Sequence, residues 1–129
     1  MKKGELTFGE KTSEADLEKI LPQLPIDLPK SYIDFLKNYN GASGDLPIQP
    51  FCFEIWQINE IVEANKDAEI QKYLPNYFGI GGNGGGELIA INLKTKKIYA
   101  IPFIVMEEQD AWLIAESFEE FQNLIGYSE

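Results

Sequence analysis

The carboxylates are the side chains best supplied for chemistry in this chain. Glu107, Glu108 and Asp110 fall within four positions, and paired carboxylates are the usual equipment for general acid–base work or glycoside cleavage. Their spacing defeats that use. Neighbouring side chains leave opposite faces of a strand and diverge by about 100° on a helix, so Glu107 and Glu108 do not aim at one bond. The single cysteine, Cys52, has no partner for a disulfide or a cysteine-rich metal site. It lies in FCFEIW and reads as a small buried hydrophobe. The chain has no histidine. That removes the usual general base, the Ser-His-Asp triad, the group that would activate Cys52, and nearly every zinc site. The chain therefore reads as a non-enzyme, with no catalytic residue, cofactor or metal expected.

Phosphate binding is the other chemistry to weigh. Gly79, Gly81 and Gly84 match GxGxxG. A dinucleotide site needs a helix after its glycines, because the helix N-terminus carries the pyrophosphate. Here LIAI, a run of strand length, follows instead, and Glu87 would repel phosphate. No Gly-Lys-Ser/Thr is present. Gly81, Gly82, Gly84, Gly85 and Gly86 are instead read as a structural turn feeding a buried central strand. Glu87, at the mouth of that strand, is expected to accept backbone N–H bonds from the turn; a partner contact is the alternative.

The elements that must position these groups follow from punctuation and periodicity. At 129 residues and 44% apolar, the chain suits one domain with a real core. Residues 1–12 read as a polar N-terminal arm. Ser13 with Asp16 starts a helix whose stripe is Leu17, Ile20, Leu21 and Leu24, and Pro22 stops it near Leu21. Pro29 suits the first turn of a second helix with Tyr32, Phe35, Leu36 and Tyr39 inward and Gly41 as its stop. NGASGDLP reads as loop, Phe51 to Trp56 as an aromatic strand, and Asn59 to Ala68 as a third helix. Tyr73, Leu74 and Tyr77 are expected to pack under the loop leading into the glycines. Glu87 to Asn92 and Lys97 to Phe103 form a hairpin around LKTK, with a bulge or edge at Pro102. WLIA after Asp110 is a short last strand. Ser117 and Glu120 cap a closing helix that turns Phe118, Phe121, Leu124 and Ile125 inward, and Gly126 ends it. The sum is α+β: a single domain with a central, mostly antiparallel sheet, helices in the N-terminal half and one C-terminal helix.

Twenty-one acidic residues against eleven basic ones leave a net charge of −10. Nucleic-acid binding, which rests on Lys and Arg, is not expected. The N-terminal residues do not read as a signal peptide, and no apolar run nears the ~20 residues of a membrane span. A cytoplasmic protein with no membrane partner is the expectation.

Several stretches, taken in order, resemble a known family. LPKSYIDFLKNYNG is similar to the "LPxxYxxFLxxxNG" opening of the SUKH superfamily, the cell-wall-regulator type of immunity domain, at Leu28, Pro29, Tyr32, Phe35, Leu36, Asn40 and Gly41. A strand ending at Trp56, a helix with Ile61 and Asn65, and Gly82 with Gly84 to Glu87 as a "GxGGGE"-like centre follow. IPFI and IAESFEEFQNLI resemble the family's later strand and closing helix. Asn83 splits the glycines, and Asn92 stands where members often carry Asp. The resemblance sets a SUKH-like domain at 13–127.

The resemblance implies a non-enzymatic binding domain. Bacterial members are typically immunity proteins that block a toxin, often a nuclease; eukaryotic relatives are regulators or scaffolds. An acidic inhibitor suits a toxin with a basic surface, since it mimics phosphate and associates quickly. On that reading Asp45, Glu54, Glu87, Glu107, Glu108 and Asp110 are candidate contacts, with solvated surface charge as the alternative. Trp56 and Trp112 are candidate anchors, although the core claims tryptophans equally well. A monomer is expected; the toxin's identity and the binding face are not set by the residues.

Overall fold

The computed structural model describes residues 1–129. Its strands are β1 (Lys2–Lys3), β2 (Leu6–Phe8), β3 (Ala42–Asp45), β4 (Cys52–Ile55), β5 (Tyr77–Gly82), β6 (Glu87–Asn92), β7 (Ile98–Pro102), β8 (Trp112–Ala115) and β9 (Tyr127–Ser128). Its helices are α1 (Glu14–Ile20), α2 (Lys30–Asn38), α3 (Ile58–Asp67), α4 (Ile70–Tyr73) and α5 (Phe118–Leu124). Strands β2 to β8 form one seven-stranded sheet in sequence order, and every neighbour is antiparallel. The chain is α+β, as its pattern predicts.

The LIAI run explains the layering. Leu88, Ile89, Ala90 and Ile91 are all fully buried, so β6 is covered on both faces. A strand buried on both faces needs a continuous apolar run rather than alternation. Ile89 and Ile91 point into the main core with Phe53, Ile55, Phe78, Ile80, Ile98 and Ala100, under residues of α2, α3 and α5. Leu88 and Ala90 point the other way, into a smaller core with Ile70, Leu74, Tyr77 and Ile101. The short helix α4, which no apolar stripe announces, is the lid of that second core. Trp56 packs against both.

Helix ends obey local chemistry. Ser13 Oγ accepts from Asp16 N at 3.2 Å, and Ser117 Oγ accepts from Glu120 N at 3.0 Å. Each replaces a hydrogen bond that the first helical turn lacks. At the start of α3 the bond runs the other way: Glu60 Oε1 accepts from Gln57 N at 3.2 Å. Pro22 stops α1 at Ile20, and the chain tightens into a 3₁₀ turn over Leu21–Gln23. Pro29 is the N-cap of α2 rather than its first residue.

Three expectations need correction. ASGD, read as loop, is strand β3, held between β2 and β4. Small polar residues have weak strand propensity, and pairing on both sides supplies what propensity does not. The arm is strand too: β2 joins the sheet edge, β1 pairs with β9, and Phe8 stacks on Tyr39 with ring centroids 4.3 Å apart. WLIA is consequently followed by one more strand, β9.

Tyr32 in α2 is fully buried, and its hydroxyl has no hydrogen-bond partner. Burial pushes the phenol well above the ordinary tyrosine range. An unpaired buried hydroxyl costs ~1–3 kcal/mol. Tyr32→Phe is therefore expected to raise the urea midpoint at unchanged slope, a gain of ~1 kcal/mol. A lower midpoint would mean that the hydroxyl is paired.

Candidate protein-docking surface

The glycine run is a strand end plus a turn. Gly81 and Gly82 belong to β5; Gly84, Gly85 and Gly86 make the turn into β6. A strand thus precedes the glycines as well as following them, and the helix that a phosphate site needs is missing. Asn83, not Glu87, ties the turn. Its Oδ1 accepts from Gly85 N at 2.8 Å and from Glu87 N at 3.0 Å. Glu87 instead accepts a long 3.4 Å contact from Asn83 Nδ2. An Asn amide both accepts and donates, which a carboxylate cannot do.

Gly86 has φ +110°, with nothing within 4 Å of where a Cβ would stand. Gly85 lies outside the left-handed region, and its Cβ would touch only the Asn83 side chain at 3.7 Å or more. Gly86→Val is expected to cost ~1–3 kcal/mol through backbone strain alone, whereas Gly85→Val stays within ~0.5 kcal/mol. Equal melting temperatures for the two variants would show that the turn does not need glycine at 86.

The acidic and aromatic candidates do not gather at one place. Asp45 closes the end of β3: its Oδ2 accepts from Glu5 N at 2.8 Å, and its carbonyl accepts from Gly126 N at 2.9 Å. That is a structural clamp between the arm and the C-terminal turn. Glu54 is exposed on β4, level with Thr7, Ser43 and Gly82 on the face away from the main core. It lines a shallow cleft of about 380 Å³ with Asn40, Gln57 and Glu60. Glu87 is half-buried opposite Pro102. Trp56 and Trp112 are half-buried and pack against the main core; the Trp112 indole N–H is buried without a partner.

The densest acids occupy the crossing from β7 to β8. Glu107 precedes a 3₁₀ turn over Glu108–Asp110, and Gln109 Nε2 donates to Glu107 Oε2. Burial is the main cause that raises the Tyr77 phenol above its ordinary value; a hydrogen bond with Asn92 opposes it, and the Glu108 charge adds to the rise.

This crossing carries a feature the sequence did not disclose. The sequence pattern carries the strand to Phe103, but β7 ends at Pro102. Phe103 N donates to Gly86 O at 2.9 Å, which ties the start of the loop to the glycine turn, and Glu107 N closes a tight turn on Val105 O at 3.0 Å. Phe103 and Met106 pack down on the second core. Ile104 and Val105 face outward, 95% and 49% exposed. Beside them stands Tyr73, 52% exposed, from α4. Together with Asp67, Ala68, Glu69 and Glu107 these residues line a cleft of about 450 Å³. Of its acids, Glu69 alone has an ion partner, Lys72 at 3.4 Å. The available signal was the length of IPFIVM, an apolar run that outlasts the strand and its proline.

No group of three His, Cys, Asp or Glu side chains converges as a metal site, and no helix is long and apolar enough to cross a membrane. A search of curated proteins finds no match. The family model of the SMI1 / KNR4 family (SUKH-1) matches residues 11–123, from ahead of α1 to all but the last residue of α5. With that match over most of its length, the chain belongs to the SMI1 / KNR4 family (SUKH-1).

Proposed function

We propose that the protein is a bacterial immunity protein, a non-enzymatic domain that binds a cognate toxin and neutralises it. Family membership supports a binding role of the immunity or Smi1/Knr4-like kind. The observation that carries the finer reading is unneutralised acidity. Twenty-one acids face eleven bases, and only three ion pairs form, all between exposed side chains. Exposed pairs of that kind add at most ~1 kcal/mol each to stability, so the surplus charge is not explained by folding. It suits fast association with a basic partner, such as the groove with which a nuclease holds its substrate. The domain would act in the cytoplasm as a monomer.

The second reading, a regulatory or scaffold domain without a toxin, draws on the same family. Co-expression separates them. The protein is expressed with the toxin domain encoded beside it, in a host that the toxin alone kills. Growth rescue together with a co-purifying complex supports immunity by direct binding. Folded protein with no rescue against any neighbouring toxin overturns it in favour of the regulator.

A further inference from the structure

We infer that the cleft between α4 and the β7–β8 crossing is the docking surface of this domain, and that its occupant is a basic polypeptide segment carrying a bulky apolar anchor. The inference rests on the binding role proposed above and adds the surface and the partner's chemistry.

Shape and anchoring come first. Phe103 and Met106 root the loop in the second core, the backbone bond from Phe103 to Gly86 ties its start, and the Val105–Glu107 turn sets its shape. Ile104 and Val105 are thereby held outward beside Tyr73. Single exposed apolar residues are ordinary; adjacent ones around one cleft mark a contact surface. An apolar centre with a polar rim is the anatomy of a protein interface.

Charge then selects the occupant. Asp67, Glu69 and Glu107 line the cleft, and Glu108 and Asp110 follow in the next turn. The cation beside it, Lys72, is engaged with Glu69 and set 5.5 Å from the Tyr73 ring centroid. Nucleic acid and an anionic membrane would meet repulsion. A second copy of the chain would set these acids against their own equivalents. A Lys- or Arg-bearing segment meets attraction at the rim while its apolar side chain covers Ile104 and Val105.

The test uses the whole isotope-labelled protein and two synthetic peptides of about 14 residues. One alternates Lys with Leu at helical spacing; the other has Ser in place of Leu. Amide shifts are expected to concentrate at Tyr73 and Ile104 to Glu107 with the Lys–Leu peptide. Ile104→Asp with Val105→Asp should weaken that binding at least about tenfold, since anchor sites carry most of an interface's energy. Raising salt from about 50 to about 300 mM should weaken it further by screening the rim. Ile104 is 95% exposed, so an unchanged melting temperature verifies that the variant is folded.

Equal affinity for the Lys–Ser peptide, or shifts spread to the Glu54 cleft, would overturn the inference, because charge alone would be responsible. Peptide-free shifts at the cleft that grow with protein concentration would overturn it in favour of a second copy. Toxin rescue that survives Ile104→Asp with Val105→Asp would remove this surface and leave immunity standing. Failure of the wild type to rescue would remove immunity and leave the peptide result intact.

Discussion

Asn65→Leu is expected to lower stability by about 3 kcal/mol or more, enough to consume much of a marginal fold. Asn65 is 3% exposed on α3, and its amide is fully engaged. Oδ1 accepts from Gly79 N at 2.9 Å and from Gln71 Nε2 at 3.0 Å; Nδ2 donates to Gly79 O and Ile61 O, each at 2.9 Å. The pair of bonds to Gly79 has a particular meaning. Strand β4 ends at Ile55 and pairs with β5 only as far as Gly81. Beyond that point the edge of β5 has no neighbouring strand, and the Asn65 amide supplies the donor and acceptor that one would have offered. Gln71 continues the substitution by donating to Tyr77 O at 2.9 Å.

Leucine keeps the branching of asparagine, with bulkier methyl ends, but leaves a buried N–H and a buried C=O of Gly79 unpaired, at ~1–3 kcal/mol each. Gln71→Leu should cost about 1 kcal/mol alone and less in the Asn65→Leu background, because the two amides share a bond. Urea unfolding of the four proteins in that cycle measures it. Additive losses would show that Asn65 acts by packing and not through this network.

The legibility of the fold follows from where its information is stored. Helices α1, α2 and α5 were readable because a stripe and a capping serine or a proline are local facts. Strand β6 was readable because burial on two faces forces an unbroken apolar run. Strands β2 and β3 were not, since Leu6–Phe8 and Ala42–Asp45 become strands by pairing with partners distant in sequence. The same limit hid the role of Asn65, which in sequence is only a polar residue within a helix. It also leaves Glu87 as the expected tie of the glycine turn, where only geometry shows the Asn83 amide reaching two N–H groups. At the candidate surface, Glu107, Glu108 and Asp110 were visible as charge. Ile104 follows directly on the strand expected to end at Phe103, with nothing local to mark it as outward, and Asp67, Glu69 and Tyr73 are scattered over a helix end that the fold alone brings beside it.

Gly81→Val is expected to exceed even Asn65→Leu in its effect, by a different mechanism. A Cβ at Gly81 would land on the Glu54 carbonyl oxygen, and would stand 3.0 Å from that carbonyl carbon and 3.1 Å from Ile55 Cα. Those atoms are backbone of the paired strand, so no rotamer change relieves the contact. Gly79 is a useful contrast. Its nearest neighbour would be Ile70 Cδ1 at 2.6 Å, the movable end of a side chain, so Gly79→Ala should cost the ~1–3 kcal/mol of ordinary overpacking. At Gly81 the strands themselves must part. The β4–β5 ladder has two registered pairs, Glu54 with Gly82 and Ile55 with Gly81, and it is the only joint between strands β2 to β4 and strands β5 to β8. Valine there should divide the sheet at that joint, costing well over ~3 kcal/mol and lowering the urea slope, because a part-opened native state exposes less new surface on unfolding. A variant that loses stability at unchanged slope would instead mean that β4 shifts as a unit and keeps its pairing, with the strain taken up in the Trp56 segment.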